Sequence, residues 1–345
     1  MPASTDYRFT FGPWNISEGQ DPFGPAVRPT VAFADKLAIY KELGFDGMML
    51  HDDDVVPEIE QKSASQVVEE AKRFGRTLSD NGLVAEIVAP RLWEDERGID
   101  GPLTSNDAAA RRWGIDRAKQ CADICRAVGT DLLVLWLARE GTYVRESKNA
   151  IDAHRRLIDA VNAILEHDSG VRIAIEPKPN EPVDHAYLPT IGHALALGYQ
   201  SADPSRVGGV IETAHSLLAG LDPSDDMAFA LAAGKLWSVH LNDQNGLKFD
   251  QDKAFGAMNL RTAFNQVRVL EAGGYASKGM VAFDTKALRT SSADQQARHL
   301  ANSRRIFLAL VDKVRSWDVK REQEMVAERD YEALELAVVE HLMGL

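Results

Sequence analysis

The sequence predicts one α/β domain, a parallel (β/α)8 barrel over residues 1–315, with a helical tail over residues 316–345. Short apolar, β-rich runs recur about every 30–50 residues, and stretches of helical length and pattern lie between them. The runs are nearly continuous in hydrophobic residues, which is typical of parallel strands buried on both faces. An open doubly wound sheet is the alternative, but the G-x-G-x-x-G turn that usually follows its first strand is absent from this sequence.

Eight predicted strands alternate with eight predicted helices, which favours a closed barrel. Thr30, after Pro29, is the candidate N-cap of the first helix, and the run from Thr104 to Asp107 is a start signal for the third. The strands are placed at residues 7–14, 45–52, 83–90, 131–138, 171–178, 207–214, 236–243 and 279–286. The helices are placed at residues 30–43, 63–82, 106–129, 149–167, 187–199, 223–234, 258–273 and 294–314.

The composition argues against proteins that bind nucleic acids or membranes. The 345 residues include 39 Lys and Arg against 52 Asp and Glu, a formal net charge of −13, so we expect neither a nucleic-acid nor a membrane partner. No apolar run approaches the ~20 residues that span a bilayer, and the N-terminus lacks the pattern of a signal peptide. Cys121 and Cys125 predict buried, reduced thiols. We therefore expect a cytoplasmic protein.

Polar side chains gather at the C-terminal ends of the predicted strands, where barrel enzymes carry their active sites. One acid at such a position usually caps the next helix, and one histidine is usually a satisfied structural residue. Here four successive strands, five to eight, each end in a potential ligand, and four such groups would repel one another without a cation. The sequence therefore predicts a metal site formed by Glu176, Glu212, His240 and Asp284.

A second group of candidate ligands follows the seventh strand. Asp250 and Asp252 are two residues apart in a predicted loop, where alternate carboxylates can face one cation or be solvated. Beside Glu212 and His215 they suggest a second site, with Glu212 bridging two ions. Carboxylates dominate the set and thiolates are absent, which suits Mg²⁺, Mn²⁺ or Co²⁺ better than structural zinc. His240 shifts the preference towards Mn²⁺ or Co²⁺.

The same residues resemble the xylose isomerase family. The resemblance extends from about residue 7 to about residue 290. The motifs HDDD, IEPKPNEP and KFDQD occur in this order, and the combination is specific to the family. The matching segments are FTFGPWN (9–15) with DPFGPAVRP (21–29), HDDDVVP (51–57), LTSND (103–107), WLAREG (136–141), IEPKPNEP (175–182), ETAH (212–215), AGKLW (233–237), LKFDQDKAFG (247–256) and FDTK (283–286).

The resemblance implies an aldose–ketose isomerase that moves hydrogen between C1 and C2 of a monosaccharide with two divalent cations. It implies that Lys178 polarises the carbonyl oxygen and that His51, oriented by Asp54, acts as an acid/base in ring opening. It implies a homodimer or homotetramer in which Phe23 reaches the neighbouring subunit's site. The remaining implied roles are the apolar walls, formed by Trp14, Trp93 and Trp136, and the catalytic metal, held by Glu212, His215, Asp250 and Asp252.

The chain departs from the family pattern at several positions. His240 occupies a position where the family usually has Asp, so the first metal site loses one negative charge; Asp243 is a nearby but unaligned replacement. Leu137 and Ala138 replace glycines before Arg139, and the chain stops near where the family's long subunit-wrapping arm normally continues. These differences concern the choice of sugar and the assembly more than the reaction.

Three other functions are compatible with parts of the pattern. A single-metal epimerase or keto-sugar enzyme of the same barrel superfamily would use carboxylates for proton transfer. Such enzymes typically include a histidine among the metal ligands, so His240 makes the ligand set more similar to theirs. A barrel nuclease would share a metal-lined mouth, but the acidic charge argues against it. A sugar-binding protein without activity would not need the nearly complete set of candidate catalytic residues.

Overall fold

The computed structural model describes residues 6–345 and contains the predicted barrel. Eight parallel strands pair in chain order, and the last pairs with the first to close the barrel, with Phe9 opposite Val281 and Thr10 opposite Ala282. The strands are β1 (Phe9–Phe11), β2 (Gly47–His51), β3 (Val84–Ala89), β4 (Leu132–Trp136), β5 (Arg172–Glu176), β6 (Val207–Glu212), β7 (Leu236–His240) and β8 (Val281–Ala282).

Helices surround the barrel, and several begin at polar caps. Ser63, Asp107 and Asn149 accept hydrogen bonds from backbone N–H groups in the first turns of the helices that follow them, which satisfies donors that have no intrahelical partner. The barrel helices are α1 (Phe33–Leu43), α2 (Ala64–Asp80), α3 (Ala108–Val128), α4 (Ala150–His167), α5 (Ile191–Tyr199), α6 (Pro223–Ala232), α7 (Leu260–Ala272) and α8 (Arg298–Arg315).

The strands are shorter than the apolar runs predict, because the ends of the runs form the loops that build the mouth. The largest difference is at β8, where residues 283–286 leave the sheet. Residues Gly141–Thr142 and His185–Ala186 form a small antiparallel pair at the mouth, which the sequence did not predict. The predicted cap Thr30 is also wrong, because α1 begins at Phe33 and its N-cap is Ala32.

Two apolar layers hold the barrel together. The larger lies between strands and helices, and where the barrel closes it is rich in aromatic rings: Phe9 stacks on Phe283 at 6.0 Å, and Phe307 of α8 contacts Phe9 edge-on at 5.6 Å. This packing supports the closure between β1 and β8, which are only three and two residues long. The smaller layer fills the interior with Met49, Ile87, Ala89, Leu132, Val134, Ala174, Val210 and Ala282.

The predicted helical tail is present as two helices, α9 (Val319–Glu328) and α10 (Tyr331–Met343). Arg329 separates them in a left-handed backbone conformation (φ 58°), and the Asp330 side chain caps α10. The tail packs on the outside of this barrel: Arg268 of α7 pairs with Glu322 at 2.6 Å, and the Lys313 ammonium of α8 donates to the carbonyl of His341.

Over residues 6–345, no helix combines the length and the apolar character needed to cross a membrane.

Candidate active site

The seven side chains predicted as metal ligands lie together at the C-terminal end of the barrel. Three are the last residues of successive strands, and the others come from the segments that follow β6, β7 and β8. Five of the seven are buried and two, Asp250 and Asp284, are half-buried, and their ligand atoms form overlapping groups within 4.8 Å of one another. The residues brought together are Glu176 (β5), Glu212 (β6), His215 (helix Thr213–Leu218), His240 (β7), Asp250 and Asp252 (loop after β7) and Asp284 (after β8).

Glu212 is common to the groups. Its carboxylate shares one group with His240 and Asp284, a second with Asp250 and Asp252, and a smaller set with Glu176 and His215 that connects the two. The side chain of His215 joins the second group, with Nε2 3.2 Å from Asp250 Oδ2 and 3.4 Å from Glu212 Oε1. Glu212 therefore lies between two sets of potential ligands.

In the first group, the His240 imidazole of β7 lies next to the Glu176 carboxylate of β5, two strands away in the barrel. His240 Nδ1 lies 3.1 Å from Glu176 Oε2. Burial lowers the pKa of His240, but the charges of Glu176 and Asp284 outweigh it and raise the pKa to about 9. Burial raises the pKa of Glu176, but His240 and His215 outweigh it and lower the pKa to about 2. Without a cation, Glu176 and His240 thus form an ion pair.

The second group carries more negative charge than its neighbours offset. Burial and the charges of Asp250 and Asp252 raise the pKa of Glu212 well above its usual range. The Asn242 amide donates to Glu212 Oε1 at 2.7 Å, and the Lys286 ammonium pairs with Asp252. The Lys286 ammonium, the Lys178 ammonium beside Asp250 and one amide supply two positive charges against three carboxylates, so the group favours an added positive charge.

The chemistry of these groups fits divalent cations. Within residues 6–345, Nε2 of His240, Nδ1 of His215 and Oδ1 of Asp250 are buried without a hydrogen-bond partner, which is costly unless another partner binds them. Carboxylate oxygens and imidazole nitrogens are the donors that Mg²⁺, Mn²⁺ and Co²⁺ accept.

Asp243 lies outside these groups, although it is close to His240 in sequence. Its Oδ2 accepts from the backbone N–H groups of Met258 and Asn259 at 2.7 and 3.0 Å, and its Oδ1 accepts from that of Gln244. The carboxylate holds the loop that leads into α7. It therefore does not replace the charge that the first group lacks at His240.

Lys178 lies beside the second group, two residues after β5. Its ammonium donates to Asp250 Oδ2 at 2.8 Å and lies 3.6 Å from Glu181 Oε2. Burial lowers the pKa of Lys178, but Asp250 outweighs it and raises the pKa above its usual value, so the ammonium keeps its charge. Lys178 Nζ also lies 5.3 Å from the centroid of the Trp136 ring, which brings the ammonium to the aromatic wall.

The wall is a continuous row of rings. Trp14 lies 4.2 Å from His51, His51 5.2 Å from Trp93, and Trp93 4.6 Å from Trp136, measured between ring centroids. The Trp14 indole donates to Asp284 Oδ1 at 3.0 Å, which connects the wall to the first group of ligands. Arg139 Nε donates to the Trp93 carbonyl at 2.6 Å and so holds the middle of the row.

Phe23 is separate from this wall. Its side chain is 97% exposed on the loop between β1 and α1. Within this chain, the three tryptophans rather than Phe23 form the apolar side of the site.

His51 is the last residue of β2. Its side chain contacts Asp54, the partner that the sequence predicts, and Arg91, a partner that the sequence analysis did not predict. Asp54 Oδ2 accepts from the His51 backbone N–H at 2.8 Å and lies 3.2 Å from ring Nδ1. Arg91 Nη2 is closer to the same Nδ1, at 2.7 Å. Sequence reasoning missed Arg91, although a charged residue two positions after the end of β3 was the available signal.

Comparison with known proteins gives the family. The family model for the xylose isomerase-like TIM barrel matches residues 37–299. Xylose isomerases of Thermus thermophilus and Thermus caldophilus are each 36% identical to this chain over 321 residues, covering 90% of this chain and 81% of theirs.

Solved structures share the fold at lower identity. An L-ribulose 3-epimerase has a TM-score of 0.61 at 15% identity, covering 93% of this chain and 97% of that one. A D-psicose 3-epimerase has a TM-score of 0.62 at 14% identity, covering 88% and 99%. An E. coli 3-keto-D-glucoside 4-epimerase has a TM-score of 0.61 at 16% identity, covering 86% and 100%. The family model matches most of the barrel, and the xylose isomerases are 36% identical over nine-tenths of the sequence. This chain is therefore a member of the xylose isomerase-like TIM barrel family.

Proposed function

We propose that this protein is a divalent-metal-dependent sugar isomerase that interconverts an aldose and a ketose by moving hydrogen between C1 and C2. The observation that carries the proposal is the position of Glu212 between two groups of buried ligands, next to the Lys178 ammonium. The 36% identity to xylose isomerases supports the same reaction class. The substrate is a monosaccharide.

Two cations would be held by residues of the site, and they would supply Lewis-acid polarisation of the sugar oxygens. One would be held by Glu176, Glu212, His240 and Asp284, and the other by Glu212, His215, Asp250 and Asp252.

The chain's own groups bind and orient the sugar. Lys178 donates a hydrogen bond from Nζ to the oxygen on which negative charge develops, and Asp250 and Glu181 hold the ammonium in place. The tryptophan wall contacts the C–H face of the sugar and excludes water, which strengthens each electrostatic interaction. His51 lies in the same wall and faces the sugar between Trp14 and Trp93.

We also propose a homo-oligomer, a homodimer or a homotetramer. The exposed Phe23 ring supports it, because a large apolar side chain that is 97% exposed gains from burial against a second subunit.

A single-metal sugar epimerase that uses proton transfer is the second candidate. His240 favours it, because an imidazole on β7 weakens the first group as a site for a hard cation. The Lys178–Asp250 pair and the second group of ligands favour the isomerase.

Removing Lys178 or Glu212 is expected to abolish isomerisation while the fold remains. Lys178→Ala lowers kcat by at least about 100-fold, because it removes a donor aimed at developing charge. Glu212→Ala removes the residue common to both groups. Ketose formation from a panel of aldoses by Mg²⁺-, Mn²⁺- or Co²⁺-loaded protein is the measurement, with circular dichroism as a check on folding.

The matched control is Lys248→Ala, which removes an exposed lysine two residues before Asp250 and leaves activity unchanged. Near-normal, metal-dependent turnover by Glu212→Ala would contradict the two-cation arrangement.

Solvent deuterium separates the two candidate reactions. In D₂O, direct hydride transfer from C2 gives a ketose without deuterium at C1, whereas proton transfer through an enediol incorporates deuterium at C1. We expect no incorporation during the first turnover, measured by mass spectrometry and ¹H NMR. Full labelling at the epimerised carbon would instead identify the epimerase.

His240→Asp is expected to tighten Mg²⁺ binding by about tenfold or more, because it adds a charged oxygen ligand to the first group. His240→Asn is the control, since it offers an oxygen without the charge. Calorimetric titration of metal-free protein measures both. Equal Mg²⁺ affinity in wild type and both variants would show that His240 is not a ligand.

The metal-free protein is expected to lose stability as the pH rises from about 6.5 to about 9. The pKa of His240 is raised to about 9 in the folded state, so the stability from its protonated form is complete below 6.5 and is lost as the pH passes 9. The pKa of Glu212 is also raised, so its contribution has the same sign. Differential scanning calorimetry should show a fall in Tm of at least about 2 °C.

Bound cations replace these protons, so the metal-loaded protein should show a smaller fall. Glu212→Gln is the control: its plots of Tm against pH, with and without cations, should differ less than those of the wild type. A pH dependence that is identical with and without cations in the wild type would exclude cation binding by these groups.

A further inference from the structure

Arg91 is held firmly beside the aromatic wall. Each of its three guanidinium nitrogens has one near acceptor: Nε lies 2.9 Å from Asp53 Oδ1, Nη1 3.1 Å from Glu94 Oε1, and Nη2 2.7 Å from His51 Nδ1. The backbone N–H of Arg91 also donates to Asp52 Oδ1 at 3.1 Å. The side chain is 20% exposed, so these contacts are partly shielded from water. The contact with His51 is thus part of a fixed arrangement.

The contact at 2.7 Å restricts where the ring proton of His51 can lie. A guanidinium has five N–H donors and no acceptor. A hydrogen bond between Arg91 Nη2 and His51 Nδ1 therefore requires that Nδ1 carry a lone pair. The neutral ring then has its proton on Nε2.

Asp54 competes with Arg91 for Nδ1 of His51, but its contact with that nitrogen is longer. Its Oδ2 is 3.2 Å from Nδ1 and already accepts the His51 backbone N–H at 2.8 Å. The backbone N–H of His51 and the Arg91 guanidinium, whose Nη2 lies 3.6 Å from Asp54 Oδ1, both stabilise the charged carboxylate. A proton on Nδ1 would face Asp54 but would also point its positive end at the nearer Arg91 N–H. The shorter contact favours Arg91 as the partner.

We propose that Arg91 fixes His51 as the neutral Nε2–H tautomer, so that the ring presents a hydrogen-bond donor to the sugar. Nδ1 faces Arg91 and Asp54, so Nε2 lies on the opposite edge of the ring. Within residues 6–345, Nε2 has no hydrogen-bond partner, and the ring lies between Trp14 and Trp93.

This role rests on the proposed sugar chemistry and makes it more specific. His51 donates a hydrogen bond to a sugar oxygen and does not remove a proton through Nε2, in contrast to the acid/base role that the family resemblance implies. Arg91 acts through His51 and is a positioning residue.

Nuclear magnetic resonance tests the tautomer directly and without an activity assay. The Mg²⁺-loaded protein is labelled with ¹⁵N-histidine, and long-range ¹H–¹⁵N correlations report which ring nitrogen carries the proton. The chain has 9 histidines, and the signals lost in His51→Gln identify His51. We expect an unprotonated Nδ1 and a protonated Nε2. A proton on Nδ1 in the wild type, in either the other tautomer or the imidazolium, overturns the proposal.

Variants then identify Arg91 as the cause. In Arg91→Met the proton should move to Nδ1, where Asp54 accepts it. In Asp54→Asn the proton should stay on Nε2, because Arg91 remains; a proton on Nδ1 in this variant would show that Arg91 does not fix the tautomer and would overturn the proposal. Arg97→Met is the matched control: Arg97 lies on the same loop, pairs with Asp95 and Glu60, and should leave His51 unchanged.

Kinetics test the link between the tautomer and the reaction. Arg91→Met should lower kcat/KM about tenfold, the effect of one lost hydrogen bond to substrate of about 1.4 kcal/mol. In a His51→Phe background the same change should alter kcat/KM less than about twofold, because Arg91 acts only through His51. Additive losses would show that Arg91 acts by another route. Absent isomerase activity in the wild type would reject the proposed function while the tautomer measurement still stands.

Discussion

The site depends on one electrostatic constraint: several carboxylates share a small, buried volume around Glu212. The barrel imposes it, because the C-terminal ends of β5, β6, β7 and β8 converge and each contributes a polar group. Nearby cations and donors offset only part of the repulsion, through Lys178, Lys286 and the Asn242 amide. The remaining charge is the physical reason to expect divalent cations at this position.

His240 gives the first group of ligands its particular character. An imidazole beside Glu176 forms an ion pair in the absence of a cation, whereas a carboxylate at this position would add to the repulsion. The nearby Asp243 holds the loop before α7 and cannot compensate. A cation at this group must therefore displace a proton from His240 and loosen its pairing with Glu176. This requirement favours a softer ion than Mg²⁺ and relates the choice of metal to pH.

The aromatic wall and the charged groups at the end of β2 belong to one assembly. Trp14 contacts both His51 and Asp284, so the position of the wall is tied to the ligands of the first group. His51 is a ring of that wall, and Arg91 reaches it from the end of β3. A network of Asp52, Asp53 and Glu94 holds Arg91 in turn. Because every member has a fixed partner, the wall can present a hydrogen-bond donor at a defined position.

The sequence by itself determined the barrel, the order of its strands and the residue types at the strand ends. Buried parallel strands leave a local signal, and β4, with the sequence LLVLW, is a clear example. Ligands at the ends of β5, β6 and β7 could be named because each terminates such a run. The two tail helices could not be told from one helix, because the break at Arg329 has no glycine or proline to mark it.

Only the tertiary structure decided which groups share partners. The contact of Arg91 with His51 joins residues 40 positions apart, and no spacing rule predicts it. Asp243 accepts hydrogen bonds from the loop before α7, and Lys178 pairs with Asp250, 72 positions away. Both contacts depend in the same way on loops that meet only in the closed barrel. Local sequence sets the elements through hydrophobic period and capping, whereas hydrogen-bond partners are set by distances of a few ångströms that arise after the elements pack.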